Sequence, residues 1–243
     1  MLNDVGCAQA ARNTDEAVTI AQTMSHPFSQ AWALSWAAAL RQLRREVGRV
    51  RGLADADLAL STEQVIPFFA AHAMVLRGWA FVEEGQSEEG IARLVEGIAA
   101  YRATGAEIEM SHWLALLAEA YGKAGQIAGG LRTVAEALAL IERTDIRHYE
   151  AELNRIEGEL RRRLDAADAQ QSEACFRRAI DIARAQQAKS LELRAARSLA
   201  RLWGEQGRRV EARDLLAPVY GWFTEGFDTA DLKEAKTLLD ELA

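Results

Sequence analysis

Residues 199–239 read LARLWGEQGRRVEARDLLAPVYGWFTEGFDTADLKEAKTLL. A helix ending at Leu202 and Trp203 meets a turn centred on Gly207. A second helix follows, with Ala212, Leu215, Leu216 and Val219 as its apolar positions. Beyond Tyr220 the pattern changes. Trp222, Phe223 and Phe227 lead into a last helix over Thr229–Leu242, where Leu232, Ala235, Leu238, Leu239 and Leu242 make one stripe.

The helix–glycine–helix unit recurs upstream. His26-Pro27-Phe28-Ser29 and Ile66-Pro67-Phe68-Phe69 repeat a proline–phenylalanine pair 40 residues apart, each a helix start with proline in the first turn. In that register first helices begin near Pro27, Pro67, Glu107, Arg147 and Lys189. One position is held by the small residues Ala38, Gly78, Ala118, Gly158 and Ala200. Three residues on stand Arg41, Phe81, Tyr121, Arg161 and Trp203, mostly large. Turns at Gly85, Gly125 and Gly207 supply left-handed caps that reverse the chain. The interval from Gly125 to Gly207 is two periods plus two residues, which fit a loop at Asp165–Ala169. Second helices carry their own small residues at Gly97, Ala137 and Ala179. Helices that cross closely need Gly or Ala at the contact, and a large neighbour fills the adjacent gap.

A period of about 40 residues with two helices each predicts an all-α, right-handed superhelical solenoid of antiparallel helix pairs. The expected layout is one repeat domain over 1–243. It comprises a half repeat at 1–25, pairs at 26–66, 67–106, 107–146, 147–188 and 189–220, and a capping segment at 221–243. The first helix, expected from Asp4 to Met24, has no pair-mate before it, which suggests a fragment of a longer protein or a truncated reading frame.

Composition agrees with helix. Of 243 residues 49% are hydrophobic and three are proline, which argues against disorder and for an all-helical chain. The net charge of −7 argues against nucleic acid as a direct partner. Charge is uneven: Arg155–Arg213 holds 14 Lys/Arg against 9 Asp/Glu. No 18-residue apolar run or signal segment is present, so a membrane span or exported form is not expected. Cys7 and Cys175 are far apart and suggest neither a disulfide framework nor a metal cluster; a reducing cytoplasm is the expected compartment.

The repeats resemble tetratricopeptide repeats. Ala118, Tyr121, Gly130, Val134 and Ala137 fit that family's small–aromatic–small spacing, as do Gly78, Phe81, Gly90, Leu94 and Gly97, and Ala200, Trp203, Ala212, Leu216 and Val219. The period departs from the family's roughly 34 residues, and the closing proline is absent, which implies longer helices. Stretches such as LRGWAFVEEGQSEEGIARL and LLAPVYGWFTEGFDTADLKEAKTLL also resemble the C-terminal repeat arm of bacterial signalling proteins. Those carry an adenylate/guanylate cyclase or DNA-binding domain followed by an ATPase. Neither a phosphate loop nor a cyclase core occurs here, so neither activity is carried over.

The resemblance implies a non-catalytic interaction or sensor arm without cofactor. Its protein or peptide partner, or a neighbouring domain of a longer parent protein, would lie on the concave face. Groove positions in this register are Trp32, His72, Trp79 and His112 in the N-terminal half. Arg155, Arg162, Arg194, Arg197 and Arg201 follow in the C-terminal half. The arginines suit carboxylate or phosphate recognition, and the competing reading has Glu152, Glu159 and Glu205 neutralising them. The histidines fall one period apart, too far for one metal ion. A small-molecule inducer sensor is the alternative function, and a regulatory fragment of a cyclase a third. Oligomerisation through the N-terminal half repeat is possible in the same scheme.

Overall fold

The structure, a computed structural model, describes residues 7–164 and 169–243. The expected helix start at Asp4 and residues 165–168 of the expected loop lie outside the described residues. Described residues form helices and connections with no strand. The helices are α1 (Cys7–Thr23), α2 (Pro27–Leu43), α3 (Val47–Glu63), α4 (Pro67–Glu83), α5 (Ser87–Ala103) and α6 (Met110–Lys123). They continue with α7 (Ile127–Thr144), α8 (Glu150–Leu164), α9 (Ala169–Ala185), α10 (Lys189–Glu205), α11 (Arg209–Gly221) and α12 (Ala230–Glu241). They form two compact units, Cys7–Gln126 and Ile127–Ala243.

A finer rhythm than 40 residues underlies the repeat. Positive φ occurs at Arg45, Val65, Gly85, Gly105, Gly125 and Asp145, then at Gln187 and Gly207. Each of the five steps from Arg45 to Asp145 is one 17- or 18-residue helix, or one shorter helix with a longer lead-in, plus its turn. Most of these turns are built alike. Gln86 N–H donates to Phe81 O (2.9 Å) while Gly85 N–H donates to Val82 O (3.1 Å); Glu46/Arg45, Ile66/Val65, Gln126/Gly125, Ala188/Gln187 and Arg208/Gly207 repeat both bonds. This is the Schellman arrangement, which satisfies the last carbonyls of one helix. Glu46, Ile66, Gln86, Ala188 and Arg208 are at once the end of that cap and the N-cap of the following helix. The connection is therefore as short as a cap allows.

Two connections are longer. Helices α6 and α8 start three residues after the expected Glu107 and Arg147, where no proline presets the first turn. Instead Thr104 and Thr144, one period apart, accept the N–H of Ala106 and Ile146 through their hydroxyls (3.3 Å each). These local bonds hold the chain in a turn before the helix starts.

Within Cys7–Gln126 each helix packs on its chain neighbours, and α4 packs also on α2 and α6. A helix so surrounded is buried on most sides: α4 hides Phe69, Ala71, His72, Ala73, Val75, Leu76, Gly78, Trp79, Ala80, Phe81 and Val82. Helix α3 buries only the stripe Val50, Ala54, Asp57 and Ser61. The small residues permit the closest crossing. A Cβ on Gly78 would stand 2.8 Å from the Leu94 backbone nitrogen, and one on Gly90 2.8 Å from the Gly78 carbonyl oxygen. The large position that follows is clamped by cations: Arg51 and Arg93 lie 4.1 and 4.5 Å from the Phe81 ring centre.

Within Ile127–Ala243, α10 packs on α8, α9, α11 and α12, and α12 packs also on α11. Helix α12 thus stands where the first helix of another pair would. Leu232, Ala235 and Leu242 are buried in the same core as Leu199, Leu202, Trp203 and Leu216, with Leu238 and Leu239 packed against it.

Candidate functional site

Helix α2 sets Phe28, Trp32 and Trp36 four residues apart, on one face. Phe28 and Trp32 are 51% and 52% exposed, unusual for rings of this size, while Trp36 is half-buried. Behind them stands buried Phe69 of α4, 5.3 Å from the Phe28 ring and 6.0 Å from the Trp32 ring, both edge to face. Deeper still is His72, 5.8 Å from Trp36 and 4.8 Å from Trp113 of α6. His112 stacks on Trp113 at 4.6 Å. Its Nε2 lies 3.0 Å from the Gln42 Oε1 and its Nδ1 3.5 Å from a Glu109 oxygen.

The expected groove residues of this unit therefore differ in access. Trp32 faces solvent, whereas His72, Trp79 and His112 are 1%, 3% and 4% exposed. Burial drives the His72 pKa down to about 3, against the pull of the Glu109 carboxylate, so its imidazole is neutral at physiological pH. One residue that the sequence reading did not single out is Asp57. It is fully buried and accepts hydrogen bonds from the hydroxyls of Ser35 and Ser61. Burial outweighs both hydroxyls and raises its pKa to about 6. The signal was available: Val50, Ala54, Asp57 and Ser61 fall on one helical stripe, so an acid stands at a core position.

In the second unit the expected arginines converge on acids. Glu152 is 2% exposed and receives Arg155 through two bonds, at 2.7 and 3.0 Å, and Arg194 at 2.9 Å. Burial alone would raise its pKa; Arg155, Arg194 and Arg197 overcome that and hold it near 2. Glu159 takes the Ser198 hydroxyl at 2.7 Å and Arg201 at 3.0 Å, and Arg162 reaches Glu205 at 3.1 Å. Glu159 too is held below the usual carboxylate range, its arginines again opposing burial. Helix α12 adds acids absent from the sequence reading. Asp231 lies 3.3 Å from Arg194, and Glu234 pairs with Arg197. Charge counting could have found them: residues 214–243 carry 7 acidic against 2 basic side chains, which balances the basic excess of Arg155–Arg213. Of the five arginines, the Arg201 and Arg162 side chains keep the most exposure, 42% and 26%.

Among the described residues no group of three His, Cys, Asp or Glu side chains could hold a metal ion, and no helix is long and apolar enough to cross a membrane.

No protein-family model and no curated protein sequence matches the chain. Solved structures do. BtubC (BKLC) from P. vanneervenii is similar over 98% of this chain and 90% of its own, at 14% identity and a TM-score of 0.60. A Podosopora anserina putative kinesin light chain with nearly identical TPR-like repeats aligns over 81% of this chain and 95% of its own (19% identity, TM-score 0.51). A Rap protein complexed with Competence and Sporulation Factor aligns over 97% of this chain and 70% of its own (11% identity, TM-score 0.64). At these identities the likeness carries the fold alone: an all-α solenoid of tetratricopeptide-like helix pairs.

Proposed function

We propose that the chain is a non-catalytic protein-interaction scaffold, and that its partner docks on the face of α2 that presents Phe28 and Trp32. The observation that carries this reading is the exposure of two large rings one helical turn apart, backed by the buried ring of Phe69. Rigid, exposed aromatics on a packed platform are what binding hot spots are made of. Among the similar solved proteins, the Rap protein was captured in complex with Competence and Sporulation Factor, which supports the reading of a fold that takes a partner. Within Ile127–Ala243, Arg162 and Arg201 are the groove arginines with the most side chain left in solvent, and they would suit an acidic peptide segment.

In this proposal the chain is the regulatory arm of a cytoplasmic bacterial signalling ATPase or cyclase, and its partner is a peptide or a neighbouring domain of such a protein. The aromatic–histidine cluster under α2 favours a second reading, a sensor for a small inducer. The test joins a capture experiment with a metabolite thermal-shift screen. The partner captured by the wild-type chain should be lost from Phe28→Ser/Trp32→Ser with unchanged helical circular dichroism, and weakened by Arg201→Glu. Retention by the double aromatic variant, or saturable stabilisation by one metabolite with no protein captured, contradicts the scaffold.

A further inference from the structure

His72 lies at the centre of unit Cys7–Gln126, 1% exposed, and neither ring nitrogen has a hydrogen-bond partner in the protein. Its two flanking indoles are in the same state: the Nε1 atoms of Trp36 and Trp113 are buried and unpartnered. Native proteins pair nearly all buried polar groups, and leaving one unpaired is costly. Here four nitrogens on three adjoining rings are left over at one place. The edge-to-face contact of His72 with Trp113, at 4.8 Å and 90°, provides for at most one N–H against a ring face, a weak interaction. The rest require an outside partner.

We infer that these rings form a binding site for a small, neutral molecule that carries a carbonyl oxygen on an apolar body. The chemistry follows from the inventory. Each indole can only donate, and a neutral imidazole donates from one nitrogen and accepts at the other. The leftover capacity is therefore three donors and one acceptor, which a carbonyl oxygen and an adjacent N–H or O–H would match. All three donors are uncharged, and the carboxylate acting on His72 is Glu109. A ligand anion would thus meet the like charge of Glu109, which His112 already engages at 3.5 Å. A ligand cation would face N–H hydrogens. The walls are aromatic: Phe68 lies 6.5 Å from His72 and Phe69 joins it to the outer rings. Trp32, 5.8 Å from Trp36 and half in solvent, is the exposed ring that borders the cluster. An apolar enclosure with a few aimed polar atoms is the usual make-up of a small-molecule site.

The site rests on the buried nitrogens of His72, Trp36 and Trp113 and the docking on the exposed rings of Phe28 and Trp32, so different variants test the two. The test follows the histidine ring nitrogens by long-range proton–nitrogen NMR while three probes with one body are titrated in: cyclohexanecarboxamide, cyclohexanecarboxylate and cyclohexylammonium. The carboxamide should shift the His72 nitrogens saturably, with a Kd on the order of 1 mM for a fragment of this size. The two charged probes should bind at least about tenfold more weakly, given the cost of burying an unpaired charge. His72→Phe should abolish the shifts of neighbouring Trp36 and Trp113 indole signals, and His72→Gln, which keeps a donor and an acceptor, should retain part of them. Should His72→Phe fail to fold, the order of the three probes on the wild-type protein decides. Absence of a saturable carboxamide shift, as for rings hydrated by buried water only, overturns the site. So does equal binding of a charged probe, or unchanged binding by His72→Phe.

Discussion

Both units pair buried arginines with acids, Arg41 with Asp15 and Glu46 in Cys7–Gln126 included, but they differ in what else they bury. In Ile127–Ala243 nearly every buried charge meets its opposite: Glu152 between Arg155 and Arg194, Arg197 against Asp231 and Glu234, Arg201 on Glu159. In Cys7–Gln126 a carboxylate is buried with two hydroxyls for company, and an imidazole and two indoles are buried without protein partners. In the first arrangement the buried carboxylates are matched by arginines, though Trp222 and Phe227 stay exposed. The second gathers four unpartnered ring nitrogens at one place, and it carries the exposed pair Phe28 and Trp32. The same repeat thus serves two ends, a closing element and a receptive one.

Removing one charge from the paired unit should have the largest effect. Glu152→Ala leaves Arg155 and Arg194 buried without their acid, at a cost of about 3–5 kcal/mol, read as a lower urea midpoint. A loss below about 1 kcal/mol would show that the network is no more than surface pairing. The receptive unit should respond in the other direction. Asp57→Asn removes an uncompensated charge, and its folded pKa of about 6 against an unfolded value near 3.8 implies a gain of about 2–3 kcal/mol at pH 7. That gain should shrink to roughly 0.5 kcal/mol at about pH 4 and vanish below about pH 3, where wild-type Asp57 is itself protonated in both states.

Smaller effects separate packing from backbone. Gly78→Ala should cost about 1–3 kcal/mol, because its methyl would press on the Leu94 backbone, which cannot yield as a flexible side chain can. Gly52→Ala, with nothing within 4 Å, should instead stabilise α3 by about 0.5–1 kcal/mol. Val65 is a β-branched residue at φ 56° and 80% exposed. Val65→Gly should therefore gain a few tenths to about 1 kcal/mol, the steric relief exceeding the entropy glycine loses. Thermal denaturation of the three variants checks all of these.

Much of the architecture was legible in the chain. Gly85, Gly125 and Gly207 mark three caps, and the small residues from Ala38 to Ala200 mark the crossings, all of them buried or nearly so. The 20-residue rhythm was hidden because Arg45, Val65, Asp145 and Gln187 hold the left-handed position without being glycine; the Schellman bonds and the cores on either side impose a conformation that their side chains do not favour. Site reading was harder. Helical register places His72 and Trp79 on a candidate groove face, yet whether that face is open depends on the bulk of residues from other helices. Trp36, Phe68 and Trp113 stand against His72, and no spacing along α4 announces the two indoles. The arginines were legible as a group, and Glu152, Glu159 and Glu205 as acids near them, but Asp231 and Glu234 come from α12, more than thirty residues downstream.

The contrast between the units makes opposite demands on pH. Asp57 binds its proton more tightly folded than unfolded, so its contribution strengthens as pH falls from about 6 to 4. Glu152 and Glu159 bind theirs more weakly folded, so their contribution is complete above about pH 4.5 and drains away towards pH 2. Hydrogen exchange, corrected for intrinsic rate and followed helix by helix from pH 7 to 3, reads both at once. The account predicts that α2 and α3 gain protection between pH 6 and 4 while α8 and α10 hold steady, and that α8 and α10 then loosen below pH 4. Uniform loss of protection in both units across the same window would contradict it.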